Sequence, residues 1–142
     1  SSAASDVYKR QGINEASELQ AVSVSLVSEV DAITNLTDNN VVDNMSVVLE
    51  QANQKGIPIY GSEIEQVKKG CIASASIDYV ALGEKTGNIA VDVLGGKSAA
   101  TYPVVNVSDS FLVVNPDVAS SLGITIPAEL NDAQKVSTSA AQ

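Results

Sequence analysis

Three short polar clusters in the sequence each lie between an apolar run and a segment with helical periodicity. They are Thr37-Asp38-Asn39, Gly61-Ser62-Glu63 and Ser76-Ile77-Asp78. In open α/β sheets, ligands bind where the carboxyl ends of strands open into helices. A helix N-terminus adds unpaired N–H groups and a partial positive charge, which suit a carboxylate or a phosphate. The clusters therefore supply six candidate ligand contacts: Thr37, Asp38, Asn39, Ser62, Glu63 and Asp78.

The same side chains have a second interpretation as helix caps. Asp and Asn are preferred N-caps, so Asp38 can begin a helix near Asn40 and Asp78 can begin one at Tyr79. Glu63 is a favourable acid for the first turn of a helix. The residues alone leave capping and ligand contact open at each cluster, and the two roles are compatible.

The composition excludes several function classes. The chain has 142 residues, 44% of them hydrophobic and 18% charged, which indicates one folded domain with a core. A net charge of −9 argues against binding nucleic acid or an anionic membrane surface. The sequence has no His and one Cys, Cys71, so it lacks the commonest general base and metal ligand as well as any Cys-cluster metal site. We expect no cofactor and no metal.

An enzyme is not favoured, because the sequence has no nucleophile elbow and no plausible base near a Ser or Cys. A mechanism that uses only the carboxylates of Asp38, Glu63 and Asp78 is the one enzymatic alternative.

Strands alternating with helices predict a parallel sheet covered by helices, which is an α/β fold. Predicted helices cover residues 18–29, 40–55, 63–69, 79–94 and 116–122, and predicted strands cover residues 31–36, 57–60, 71–76, 102–107 and 111–115. A capping box from Ser17 to Gln20 begins the first helix. Gly83 and Gly87 are expected to let the fourth helix approach the sheet closely. Right-handed crossovers then place the three polar clusters at one edge of the sheet.

The two ends of the chain are predicted to lie outside the folded domain. Residues 1–12 are small and polar without apolar periodicity, which indicates a disordered lead or a non-native scar, and residues 135–142 are expected to be a frayed tail. The domain between them, residues 13–134, opens on a helix with no strand before it. Because a doubly wound sheet usually begins with a strand, we expect the chain to be truncated at its N-terminus.

Several motifs keep the mutual spacing of a known family. The chain carries VDAI-x-x-x-TDN, then IPIYGSE, then IDY-x-x-LG-x-x-TG, and it closes with VNPDVASSLGITIPAEL. In this order they resemble the C-terminal lobe of bacterial ABC-transporter substrate-binding proteins of the tryptophan/tyrosine type. The resemblance runs from about Ile13 to about Leu130.

The resemblance implies one Rossmann-like lobe of a type I periplasmic-binding-protein fold, with an amino acid held in a cleft between two lobes. It implies an extracytoplasmic protein, often lipid-anchored, that delivers its ligand to a membrane ABC permease. The partner lobe, the N-terminal one, would be missing from this chain. On this interpretation Thr37, Asn39 and nearby backbone N–H groups hold the ligand carboxylate and Asp38 pairs with its α-amino group.

A ligand-sensing domain of a transcription regulator is the alternative, because such regulators share this fold. The coding sequence upstream of Gln11 discriminates between the two: a signal peptide with a lipobox Cys supports transport, and a helix-turn-helix supports regulation.

Overall fold

Five strands form one sheet in the computed structural model, which describes residues 7–107 and 110–138. In spatial and chain order they are β1 (Ile33–Thr34), β2 (Ile59–Gly61), β3 (Ala73–Ile77), β4 (Ser110–Val114) and β5 (Gln134–Lys135). β1, β2 and β3 pair in parallel, β4 runs antiparallel to β3, and β5 runs parallel to β4. This mostly parallel sheet with connecting helices confirms the predicted α/β class, although the antiparallel direction of β4 was not predicted.

Six α-helices connect and flank the strands within the described residues. They are α1 (Leu19–Leu26), α2 (Asn39–Asp43), α3 (Met45–Lys55), α4 (Ile64–Lys69), α5 (Tyr79–Leu94) and α6 (Pro116–Ser121), with 3-10 turns at Ala16–Glu18, Ala99–Thr101 and Ala128–Leu130. In this part of the chain no helix is both long enough and apolar enough to cross a lipid bilayer.

The hydrophobic core lies on one face of the sheet, beneath α1, α3 and α4. Its buried members are Leu19, Val27, Ile33, Met45, Val48, Leu49, Ala52, Ile57, Ile59, Val67, Cys71 and Val113. The helical spacing of Met45, Val48, Leu49 and Ala52 explains why α3 buries one stripe. Gly56 ends that helix in a left-handed conformation at φ 67°, which favours glycine.

The opposite face of the sheet is open, so the prediction of a sheet covered by helices holds for one face only. Tyr60, Ala75 and Leu112 point to this face and are exposed, because side chains alternate along a strand. α5 has the predicted bounds but buries none of its 16 residues. No atom outside the local helix lies within 4 Å of a Cβ built on Gly83 or Gly87. The expected close approach of α5 to the sheet is therefore wrong for the described residues.

The helix predicted over residues 40–55 is divided in two at Asn44. The Asn44 side-chain amide donates to the carbonyl oxygen of Asn40 at 2.9 Å, and the backbone of Asn44 leaves the helical region at φ −109° and ψ 24°. An Asn side chain competes with the backbone for nearby carbonyls in this way. α2 is consequently a separate five-residue helix.

Two further local predictions are wrong. The first helical segment begins at Ala16 rather than after Ser17, because the Glu18 carboxylate accepts hydrogen bonds from the N–H groups of Asn14 at 2.8 Å and Glu15 at 3.4 Å. Residues 102–107 are not a strand. β4 already has β3 on one side and β5 on the other, so no neighbouring position beside it is left for that segment.

Within the predicted frayed tail, Lys135 and Val136 pair with β4. β5 includes Lys135, and the N–H of Val136 donates to the carbonyl oxygen of Val114 at 3.0 Å. Val136 packs against the hydrophobic core. The buried Asn115 amide also donates to Thr138 Oγ1 at 3.0 Å. The expected fraying is therefore wrong for Lys135 and Val136, because they pair with β4 and Val136 contacts the core; residues 139–142 lie outside the described residues.

We predict that Val136→Asp lowers the free energy of unfolding by about 1–3 kcal/mol, because it forces an unpaired carboxylate against the core. Urea denaturation measures the change. Ser137→Asp adds the same charge at the neighbouring exposed position and should change stability by less than about 0.5 kcal/mol. Equal effects of the two substitutions would contradict the packing of Val136.

Candidate functional site

The carboxyl ends of β1 and β2 meet at one edge of the sheet, where two of the polar clusters are in contact. Thr37 Oγ1 and Ser62 Oγ lie 2.9 Å apart, although the residues are 25 positions apart in the chain. Parallel pairing of Ile33 with Ile59 and of Thr34 with Tyr60 causes this approach, because Ser62 comes directly after β2 and Thr37 follows three residues after the end of β1. The structure therefore brings together Thr37 and Ser62 as the sequence predicted.

Asp38 caps α2 with one carboxylate oxygen. Its Oδ1 accepts from the N–H groups of Asn40 at 2.9 Å and Val41 at 3.3 Å, and Oδ2 makes no hydrogen bond among the described residues. These two N–H groups are therefore already used and do not await a ligand. Asn39 is the first residue of α2 and is exposed beside this cap. The carboxylate and the amide side chains face solvent at the edge, where a solute has access to them.

Glu63 caps α4 with both carboxylate oxygens. Oε2 accepts from the N–H of Glu65 and Oε1 from the N–H of Gln66, each at 2.8 Å, and the residue is only 8% exposed. This geometry explains Glu63 as a structural residue that fixes the start of α4. A ligand contact for Glu63 stays a prediction.

Asp78 lies at the end of β3 and caps α5, accepting with Oδ1 from Val80 and Ala81 at 2.9 and 3.0 Å. It makes no hydrogen bond to the Thr37–Ser62 pair. It lines an open groove of about 740 Å³ instead. The groove is lined by residues of four regions of the chain: Ile64, Ile77, Asp78, Tyr79, Val80, Phe111, Leu112, Glu129, Asp132, Ala133 and Gln134.

Glu129 and Asp132 are groove residues that the sequence did not identify. They come to this edge because the segment before β5 returns to the end of the sheet at which β3 ends. A two-residue strand gives no alternating pattern, so the sequence carried no signal for this return. Carboxylates in an apolar groove favour a ligand with a positively charged group.

Gln66 is a third residue that the sequence did not identify, and it lies directly beneath the Thr37–Ser62 pair. It is fully buried, its Oε1 accepts from the Ser62 N–H at 3.2 Å, and its Nε2 donates to Ser62 Oγ at 3.1 Å. A Cβ on Gly61 would lie 2.9 Å from Gln66 Cβ. Only glycine at position 61 leaves room for this side chain without a shift.

Cys71 is the one thiol of the chain, and it is buried in the core. Burial, and then the negative charge of Glu63, raise its pKa from 9.0 to about 12. The thiol is therefore protonated at neutral pH and is not a nucleophile or a metal ligand there. Across residues 7–107 and 110–138, no group of three or more His, Cys, Asp or Glu side chains is arranged to hold a metal ion.

We predict that the Cys71 pKa makes stability fall at alkaline pH. The unfolded thiol loses its proton near pH 9 and the folded thiol near pH 12, so its contribution is complete below pH 9 and is lost as pH rises towards 12. The loss is at most about 1.4 kcal/mol per pH unit. Urea denaturation between about pH 8 and about pH 10 measures it. Cys71→Ala should lose this slope; identical slopes for the two proteins would contradict a buried, protonated thiol.

Residues 8–137 match the family of ABC transporter substrate binding proteins, which is nearly the whole chain. The chain belongs to that family. It is 38% identical over 112 residues to a tyrosine-binding protein of Clostridioides difficile, an alignment that covers 79% of this chain and 32% of that protein. The resemblance seen in the motifs is confirmed.

Solved structures confirm the fold. A Streptococcus pneumoniae ABC domain in complex with L-Trp superposes with a TM-score of 0.82 and 33% identity over 90% of this chain and 44% of that one. A ligand-free, open substrate binding protein with adhesive properties from Clostridium difficile gives a TM-score of 0.70 and 34% identity over 91% and 43%. A conserved domain protein of Vibrio cholerae gives 0.77 and 30% over 89% and 43%. The chain thus spans less than half the length of these relatives.

Proposed function

We propose that this chain is one lobe of the substrate-binding protein of an ABC importer, and that it holds a free amino acid with an aromatic side chain. The contact between Thr37 Oγ1 and Ser62 Oγ carries this proposal, because it forms a small polar surface from two strand ends at the edge where such folds bind ligands. Relatives that bind tyrosine or L-Trp support an aromatic amino acid.

The ligand carboxylate binds to the Thr37 hydroxyl and the Asn39 side-chain amide. Both are exposed at the edge, and a hydroxyl and an amide each offer a donor to a carboxylate. The backbone N–H groups of Asn40 and Val41 take no part, since Asp38 already accepts from them.

The ligand ammonium group pairs with Asp38 Oδ2, the oxygen that capping leaves unused. A charge-assisted hydrogen bond of this kind is stronger than a neutral one. No titrating base is involved, so the lobe binds its ligand and does not transform it. Asp78, Glu129 and Asp132 add negative charge to the neighbouring groove, in keeping with a ligand that carries a cation.

A second lobe of the same protein forms the opposite wall of the site. Two features of this chain support it. α5 buries none of its residues and exposes Val80, Val91 and Leu94, and the uncovered face of the sheet exposes Tyr60 and Leu112. We take these exposed apolar side chains as part of the interface with that lobe. The family membership further favours an extracytoplasmic, lipid-anchored protein that works with a membrane permease over a transcription regulator.

We predict that L-Trp, L-Tyr or L-Phe raises the melting temperature of the full-length protein in differential scanning fluorimetry. A ligand that binds only the folded state stabilises it by about 2.7 kcal/mol at a concentration of about 100 times its Kd. Tryptamine, which lacks the carboxylate, is the matched control and should stabilise less. No shift with any of these amino acids at millimolar concentration would refute the proposed ligand class.

Asp38→Asn should weaken amino-acid binding and leave the fold intact, because Asn is as good an N-cap as Asp but lacks the charge that pairs with an ammonium group. We expect a loss of roughly tenfold or more in affinity by isothermal titration calorimetry, with an unchanged melting temperature of the ligand-free protein. Asp43→Asn removes the same charge from the last, exposed residue of α2 and should leave affinity unchanged. Equal affinity of the Asp38→Asn protein and the unaltered protein would exclude Asp38 from the site.

A further inference from the structure

The orientation of the Gln66 amide is fixed by its neighbours. A backbone N–H can only donate, so the atom 3.2 Å from the Ser62 nitrogen must be the amide oxygen. The other atom, 3.1 Å from Ser62 Oγ, is then the nitrogen and must donate to that hydroxyl. Gln66 is fully buried, and both ends of its amide are hydrogen-bonded to Ser62. The amide therefore cannot rotate freely, and its donor and acceptor keep these directions.

This amide determines the direction of the hydrogen bond between the two hydroxyl groups. Ser62 Oγ already accepts from Gln66 Nε2, and Thr37 is its only other side-chain partner among the described residues. If Thr37 donated to Ser62, the Ser62 proton would be left without a partner in a half-buried place. If Ser62 donates to Thr37, each bond strengthens the next along the chain. The second arrangement is favoured, and it leaves the Thr37 proton free at the exposed edge.

We propose that Gln66 is a positioning residue that makes Thr37 a hydrogen-bond donor towards the cleft, so that this edge selects an acceptor, the carboxylate of the ligand. This inference rests on the proposed function for the identity of the ligand. It adds that Gln66 decides whether Thr37 donates or accepts a hydrogen bond at the cleft. Gln66 itself touches no ligand. Its effect travels through Ser62 to Thr37 over two hydrogen bonds.

A carboxylate at position 66 would reverse the arrangement. Glu has the same shape as Gln but only accepts hydrogen bonds when ionised. The ionised Glu would accept a hydrogen bond from the Ser62 hydroxyl, and Ser62 would then accept one from Thr37. Thr37 would be left able only to accept a hydrogen bond from a ligand in the cleft. A protonated Glu regains a donor, so the original direction should return as pH falls.

The test compares Gln66→Glu and Gln66→Met with the unaltered full-length protein by isothermal titration calorimetry. The ligands are L-Trp, 3-indolepropionic acid, which has the carboxylate alone, and tryptamine, which has the amine alone. Gln66→Glu should weaken binding of the carboxylate ligands by roughly ten- to hundredfold, and Gln66→Met, which frees the direction without reversing it, by roughly three- to tenfold. The effect on tryptamine should be much smaller. Only Gln66→Glu should recover as pH falls from about 8 to about 5, because burial at position 66 raises the pKa of the new carboxyl above its usual value.

Gln66→Met distinguishes the loss of the hydrogen-bond donor from electrostatic repulsion, because it removes the donor without adding a carboxylate that repels the ligand. Asn115→Asp is the control for charge: it converts another buried amide, one that caps α6 and makes no hydrogen bond to Ser62 or Thr37. It should leave the ratio of carboxylate to amine affinity unchanged. A Gln66→Met protein with the unaltered ratio would overturn the proposal.

Neutron diffraction on the deuterated, ligand-free protein shows the direction of the hydrogen bond between Ser62 and Thr37 independently of any ligand. We expect the deuterium of Ser62 to point at Thr37 Oγ1 and that of Thr37 to point away from Ser62. A deuterium on Thr37 directed at Ser62 Oγ would overturn the inference even if amino acids bind. Absence of binding by the unaltered protein would instead contradict the proposed function, so the two failures are distinguishable.

Discussion

Parallel pairing of β1, β2 and β3 is the constraint on which the site depends. The pairing is maintained by a short series of backbone hydrogen bonds, from Ile33 to Pro58 at 3.0 Å, from Asn35 to Tyr60 at 2.9 Å and from Ile72 to Ile59 at 2.8 Å. Because all three strands run the same way, every cluster that follows a strand arrives at the same edge. Thr37 and Ser62 touch as a consequence of this shared direction.

Buried amide side chains hold this frame in place from within the core. Gln66 joins α4 to the end of β2, and Asn115 donates to the carbonyl oxygen of Val67 at 3.1 Å and so joins the end of β4 to α4. Asn35 donates to Met45 Sδ at 3.1 Å and so joins the end of β1 to α3. Within the described residues no buried side-chain polar atom lacks a partner. Satisfied polar groups of this kind rigidify a core and specify one arrangement of it.

The sequence predicted those features that come from local periodicity. The apolar residues at helical spacing from Met45 to Ala52 predicted the buried face of α3. The alternation of strands and helices predicted that Thr37 and Ser62 lie at the same edge of the sheet. Periodicity reports burial but not direction, so the antiparallel β4 was missed. The break at Asn44 depends on one side-chain hydrogen bond, and β5 is too short to show a pattern.

Gln66 could not be found from the sequence for a related reason. A polar residue in a short amphipathic helix normally indicates an exposed position, and only the contact of Gly61 with α4 reveals that this one is buried. The open face of the sheet and the exposed α5 were likewise missed, because tertiary contacts decide which apolar surfaces are covered. An apolar stripe on a helix predicts that the stripe is buried but does not say which surface buries it.

A crystal structure of the full-length protein with a bound aromatic amino acid tests the account most directly. The account predicts a ligand carboxylate oxygen within hydrogen-bond distance of Thr37 Oγ1 and the ligand ammonium group beside Asp38 Oδ2, with Gln66 still bonded to Ser62. A ligand bound elsewhere, or one whose carboxylate points away from this edge of the sheet, would contradict it.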